Sequence, residues 1–228
     1  MIAVAGAAGN LGPTVVGRLA VAGTTLSLAG RRAAELDALA ARVGGRTETV
    51  AVDFLDEPAT RAWADGIGER HGRVDGLVHL VGGWRGGTAI DEAPLEDWDW
   101  LQQLLVRTLQ HTTRAFLPHL LRSGRGRVVA IAAGQAQAPT HPNASYAAAK
   151  AAADAWVLAL ADRLRGTGST ANLVVVGAIA TPAMREAELD RDFSTFTPAE
   201  EIAEAVAYLA SDAASAMNGQ RFTLRGAA

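Results

Sequence analysis

The chain has 228 residues, no cysteine, a hydrophobic fraction of 49% and a formal net charge of −3. That length and apolar content allow one large domain or two small ones around a sizeable core, and they argue against disorder. The composition excludes disulfides, thiolate nucleophiles and Cys-ligated metals, and the scattered arginines leave no electrostatic footprint for nucleic acid.

No apolar run approaches the roughly 20 residues that span a bilayer. Residues 2–5 are apolar, but they lack a basic leader and run at once into glycines, so they read as a buried first strand of a cytoplasmic protein. The turn that follows is Gly6-Ala7-Ala8-Gly9-Asn10-Leu11-Gly12, and residues 13–22 have a helical pattern. Strand, glycine turn and helix is either a tight turn or a pyrophosphate cradle, in which glycines admit the phosphates and the helix N-terminus supplies N–H groups.

A second strand over 24–29 ends at Gly30-Arg31-Arg32, and a helix over 33–43 has Leu36, Leu39 and Val43 on one face. An acid at that strand end would accept from an adenosine ribose. Arg31 and Arg32 are either solvated arginines at a helix start or partners for a 2′-phosphate, and the latter favours NADP(H) over NAD(H). Residues 47–52 form a third strand ending at Asp53-Phe54, residues 58–71 a helix, and residues 74–81 a fourth strand. That strand opens into Gly82-Gly83-Trp84-Arg85-Gly86-Gly87, a loop whose glycines are entropically costly unless the backbone must bend or approach a ligand.

Residues 94–121 read as a long helix with a core stripe, kinked or broken at Pro118, and residues 127–132 as a fifth strand. Next comes the stretch 133–150, in which Tyr146 and Lys150 stand four residues apart. On a helix such a pair shares one face, about 5–6 Å apart at Cβ, where an ammonium would make the phenol a better acid. The alanines of this helix, continuing to about Arg165, allow close packing in a homodimer or homotetramer.

A sixth strand over 170–176 runs into Gly177, and Thr181-Pro182 lies just beyond it. Residues 190–197 form a candidate lid, Thr197 and Glu200 a capping box around Pro198, and residues 220–224 a last strand. None of the five histidines shows metal-ligand spacing, so no metal is expected. Strands alternating with helices over 1–228 predict one α/β domain, a doubly wound Rossmann-type parallel sheet of about seven strands, with ligands at the carboxyl ends of its strands.

The glycines Gly6, Gly9 and Gly12, Asp53 after the third strand, Tyr146 with Lys150, and Gly177 with Thr181-Pro182 resemble the short-chain dehydrogenase/reductase family in order and spacing. The resemblance implies an oxidoreductase acting on a small molecule. Tyr146 would be the proton donor, Lys150 would bind the nicotinamide ribose and lower the tyrosine pKa, and Asp53 would meet the adenine. Gly6, Gly9, Asn10, Leu11, Gly12, Arg31, Arg32, Asp53, Phe54, Gly82, Gly83, Lys150, Gly177 and Thr181 would hold the cofactor. Trp84, Ala133, Gln135 and Tyr146 would face the substrate.

Three positions depart from the family pattern. Ala133 stands where a catalytic serine is usual, Leu105 where an asparagine is, and His79-Leu80-Val81-Gly82 replaces Asn-Asn-Ala-Gly. Without that serine, ordinary ketone reduction needs another donor, such as Gln135 or Thr140.

The dihydropteridine reductase branch also lacks the serine. Residues 81–87, 132–134, 181–185 and 192–198 are similar to it, although that branch generally ends its second strand in an acid and uses NADH. The resemblance implies hydride transfer to a planar conjugated acceptor such as a quinonoid dihydropterin. A quinone or aromatic polyketide carbonyl, or a catalytically silent dinucleotide-binding protein, are the alternatives.

Overall fold

The computed structural model describes residues 1–226. The first half alternates β1 (Ile2–Ala5), α1 (Gly12–Val21), β2 (Leu26–Gly30), α2 (Ala33–Val43), β3 (Thr47–Ala51), α3 (Glu57–His71) and β4 (Gly76–His79). The second half carries α4 (Leu95–Leu101), α5 (Thr108–Ser123), β5 (Arg127–Ala133), α6 (Ala144–Arg163) and β6 (Thr170–Val176). It closes with β7 (Ile179–Ala180), α7 (Pro182–Ala187), β8 (Thr197–Pro198), α8 (Ala199–Leu209) and β9 (Arg221–Thr223).

Seven strands pair in parallel in the order β3-β2-β1-β4-β5-β6-β9. Residues of β1, β4 and β6 are buried on both faces, which explains the unbroken apolar run of β1 and the largely apolar β4 and β6. One core layer joins the sheet to α3, α5 and α6 through Trp63, Phe116, Leu120 and Val157. The other joins it to α1, α2 and α8 through Val15, Leu36 and Ile202. The strand order reverses between β1 and β4, and such a switch point leaves a crevice at the carboxyl ends.

Three local expectations are corrected. The helix over 94–121 is not broken at Pro118, which sits inside α5; a π-helical stretch, Gln102–Arg107, joins α4 to α5 instead. Pro118 forfeits one hydrogen bond there, whereas the π stretch widens the helix beside the crevice. Thr197 is no N-cap. It lies in β8, its hydroxyl donates to Arg225 O at 2.7 Å, and Pro198 occupies the cap position. The fourth strand ends at His79 rather than 81, because Leu80 N makes the last bond to β1, at Ala5 O, before the loop turns away.

Candidate active site

A cleft of about 800 Å³ opens at the carboxyl ends of the central strands. After β1 it is lined by Gly6, Gly9, Asn10 and Leu11, and after β2 by Arg31 and Arg32. Asp53 and Phe54 follow β3, Gly82, Gly83 and Trp84 follow β4, and Gly177 and Thr181 follow β6. Gln135, Tyr146 and Lys150 complete it. The fold thus gathers residues from six strand ends that are far apart in sequence.

Two expected residues lie elsewhere. Gly12 does not line the cleft; it packs on the glycine turn, where an added Cβ would sit 1.9 Å from Ala7 O. Ala133 is 2% exposed at the end of β5, and Ala132 and Gln135 face the cleft around it. Of the two substitute donors, Gln135 lines the cleft, while the exposed Thr140 accepts from Asn143 Nδ2 at 3.2 Å outside it.

The turn after β1 fits a dinucleotide. Gly6 has φ +79 and an added Cβ there would meet Val81 N at 2.9 Å, so only glycine lets β1 and the β4 loop close together. Gly9 N donates to Gly6 O and Gly12 N to Gly9 O, both at 3.0 Å, folding the turn under the start of α1. That helix has no side-chain cap and no acid in its first turn; Gly12 N is taken by Gly9 O and Pro13 has no N–H, so it is chiefly the positive dipole end that is open to an anion. Arg32 Nη2 donates to Ala8 O at 2.7 Å and pairs with Glu35 at 2.9 Å. Arg31 lines the same end of the cleft and has no ion pair among the described residues. Asp53 Oδ1 accepts from Leu55 N at 3.0 Å, while the Phe54 ring is in the core, 5.7 Å from Trp63.

Tyr146 and Lys150 do share one face of α6, with Lys150 Nζ 5.9 Å from the phenol ring centre. Lys150 is 7% exposed and donates to Ile131 O at 2.9 Å. Burial brings its pKa down to about 8, against which the Asp154 carboxylate pulls upward. Asp154 lies one further turn along α6, 1% exposed, with Arg221 Nη2 at 3.2 Å. Burial raises its pKa to about 6, and Arg221 and Lys150 oppose that rise.

The expected lowering of the tyrosine pKa is not found. Burial pushes Tyr146 up to about 12, and Asp154 adds to it. The phenol is therefore protonated throughout the neutral range, as a proton donor must be. Leu105, at the position of the family asparagine, packs with Leu101, Val106 and Ala149 beside Tyr146 and offers no polar group.

His79 is a functional candidate that the sequence does not reveal: it stands there only as a departure from a motif, and nothing in its spacing marks it. It is 4% exposed, with Thr112 Oγ1 at 3.1 Å from Nδ1 and no partner for Nε2. Burial holds its pKa down to about 3, with the Lys150 ammonium adding to the effect. Unfolded histidine titrates near 6.5. Between those values the unfolded chain takes up a proton that the folded chain refuses. His79's share of the stability is therefore fully present above about pH 6.5 and falls by about 1.4 kcal/mol per pH unit on acidification. Urea unfolding of His79→Leu between pH 6.5 and 4.5 should show a shallower decline than wild type; parallel declines would refute it.

On the substrate side, Trp84 is 58% exposed, and Arg85 behind it stacks 4.3 Å from the Trp100 ring and pairs with Asp97. The stretch anticipated as a lid contributes Arg191 and Phe196 to the cleft lining, with the Arg191 guanidinium 4.9 Å from the Phe196 ring. Among the described residues no group of three or more His, Asp or Glu could hold a metal ion, and no helix is long and apolar enough to cross a membrane.

A glycine cradle at the switch point of a parallel sheet, with a phenol and an ammonium beside it, defines a dinucleotide-dependent oxidoreductase of Rossmann type. A family model described as "Enoyl-(Acyl carrier protein) reductase" matches residues 6–226. The chain belongs to the short-chain dehydrogenase/reductase family.

D-threitol dehydrogenase of Mycolicibacterium smegmatis is 29% identical, with 98% of this chain and 90% of that protein covered. A short-chain type dehydrogenase/reductase from Mycobacterium ulcerans superposes with a TM-score of 0.90 at 24% identity, covering 99% of this chain and 88% of the other. The NADPH-bound short-chain oxidoreductase of Pseudomonas aeruginosa PAO1 "containing an atypical catalytic center" gives 0.88 at 24% identity, with coverage of 99% and 95%. At those identities the two structures speak for the fold alone.

Proposed function

We propose that the protein is an NADPH-dependent reductase of a planar, conjugated acceptor such as a quinonoid dihydropterin, with Tyr146 as the acid. The observation that carries this reading is the Tyr146/Lys150 pair in a cleft where β5 ends in Ala133 instead of a hydroxyl. A bound nicotinamide would supply hydride. An activated ring accepts it without forming an alkoxide, so no oxyanion donor is required, and Tyr146 delivers the one proton that completes the reduction. Trp84 offers a flat wall to a flat ring in a cleft also lined by Met184 and Phe196. Gly6, Gly9, Asn10, Leu11 and the α1 N-terminus would hold the pyrophosphate, and Lys150 and Thr181 the nicotinamide end.

Stopped-flow NADPH oxidation with quinonoid dihydropterin tests the reading. Turnover with a quinone or an aromatic polyketide carbonyl and none with the pterin would replace the acceptor. NADPH binding without turnover of any acceptor would leave a silent binding protein.

The preference for NADPH rests on Arg31. Its guanidinium is available to a 2′-phosphate, whereas Arg32 is engaged by Ala8 O and Glu35. By calorimetry Arg31→Ala should weaken NADPH about 10- to 100-fold and leave NADH unchanged. Arg32→Ala, which frees the glycine turn, should weaken both alike. Equal losses in Arg31→Ala would refute the preference.

A homodimer or homotetramer belongs to the same reading, supported by the exposed stripe Ala148, Ala151, Ala152, Ala155 and Ala159 along α6. Light scattering decides it.

A further inference from the structure

Lys150 is the sole lysine of the chain. Its ammonium has three N–H donors, and one of them is directed at Ile131 O. The neighbouring strand supplies a second polar atom. In the β4–β5 register His79 lies opposite Ala130, the residue before Ile131. Paired residues of parallel strands point to the same face, and His79 meets Thr112 of α5 there, in the layer that also holds α6. The imidazole therefore lies between the sheet and the two helices, on the Lys150 side.

The Thr112 hydroxyl decides the tautomer. It stands 3.0 Å from Thr108 O and 3.1 Å from Leu109 O, so its one proton goes to the helix backbone, the usual bond of a helical threonine. His79 Nδ1 must then carry the hydrogen and donate to Thr112 Oγ1, leaving Nε2 as a bare lone pair. A buried, unsatisfied acceptor is costly. In the same layer as an ammonium it has an obvious use, and groups beyond direct bonding distance are commonly joined by a water.

We propose that His79 is a positioning residue for Lys150: its Nε2 accepts from the Lys150 ammonium through one bridging water, and Thr112 locks the imidazole in the tautomer that allows this. The polar chain then runs Tyr146, Lys150, His79, Thr112 from the cleft into the core. It supplies the ammonium with polar support on the side where Leu105 provides none. The charged and titratable groups around Lys150 are Tyr146 and Asp154 on α6, Arg221 of β9 behind Asp154, and His79 on β4. Support of the charged form raises the Lys150 pKa, so its loss lowers it.

A single lysine makes the test direct. In protein labelled with [13Cε]lysine, one NMR resonance reports the Lys150 titration without any acceptor or turnover. His79→Leu is expected to move the midpoint down by about one pH unit or more. His79→Gln, whose amide oxygen reaches the position of Nε2, is expected to restore most of it, and the shorter His79→Asn is not. Thr112→Val should give an intermediate fall. A folded His79→Leu with the wild-type midpoint overturns the proposal. If that variant does not fold, equal midpoints in the Gln and Asn variants overturn it. The proposal takes Lys150 as a site residue from the proposed function, but its readout is independent of pterin reduction, so either can fail alone.

Discussion

Lys150→Met is expected to lower NADPH turnover about 10³-fold while the protein melts no lower than wild type. The loss follows from the place of the ammonium, beside Tyr146 in the cleft and bonded to Ile131 O. Loss of Lys150 would remove both its hold on the nicotinamide end and its support of the acid, and positioning of a reacting group together with acid help contributes on the order of 10²–10⁴ or more to rate. The unchanged or higher melting temperature follows from burial. A charge whose pKa falls from 10.5 to about 8 on folding is unfavourable to the folded state at neutral pH, and methionine fills the same volume without it.

Tyr146→Phe should lose less, about 10-fold to 100-fold, because an activated ring accepts hydride with little help from an acid. Stopped-flow turnover and a thermal melt measured on the same preparations check both statements. A Lys150→Met enzyme of wild-type rate would remove the pair from the chemistry altogether.

Gly12→Ala should cost about 3 kcal/mol or more of stability and weaken NADPH binding at least tenfold. The added Cβ would stand 1.9 Å from Ala7 O and 2.5 Å from Ala7 C, and both are backbone atoms that cannot rotate aside. Relief requires lifting the Gly6–Gly9 turn off the start of α1, which spoils the geometry that a pyrophosphate needs. Gly17 on the same helix provides the contrast, since a Cβ added there would have nothing within 4 Å. Gly17→Ala should therefore stabilise by about 0.5–1 kcal/mol, the ordinary gain from replacing glycine in a helix. Urea unfolding and calorimetry on the two variants separate a packing requirement from a mere loss of flexibility.

Much of the site was legible because its residues are tied to strand ends. Gly6, Gly9, Arg31, Asp53, Gly82 and Gly177 each follow a strand that the apolar pattern marks, and a parallel sheet brings those ends together. Tyr146 and Lys150 were legible because four residues on a helix fix a shared face. Element boundaries were less so. The π-helical stretch Gln102–Arg107 has no marker in its apolar stripe, whereas Pro118 looked like a breaker and is not one. The Thr197-Pro198-Ala199-Glu200 motif matched a helix start, yet β8 pairing with β7 took Thr197 into a strand.

The linear chain thus carried its fold class, the proposed cofactor cradle and the proposed acid with its partner lysine, since each depends on local periodicity or on short spacing. Whether the phenol is tuned up or down depended on burial and on Asp154, and a desolvation penalty cannot be read from spacing. The same holds for His79. It becomes a candidate only when β4, α5 and α6 close around it, because an orphaned lone pair exists only once water has been excluded. Pattern establishes which groups meet; the packed interior sets the charge each of them carries there.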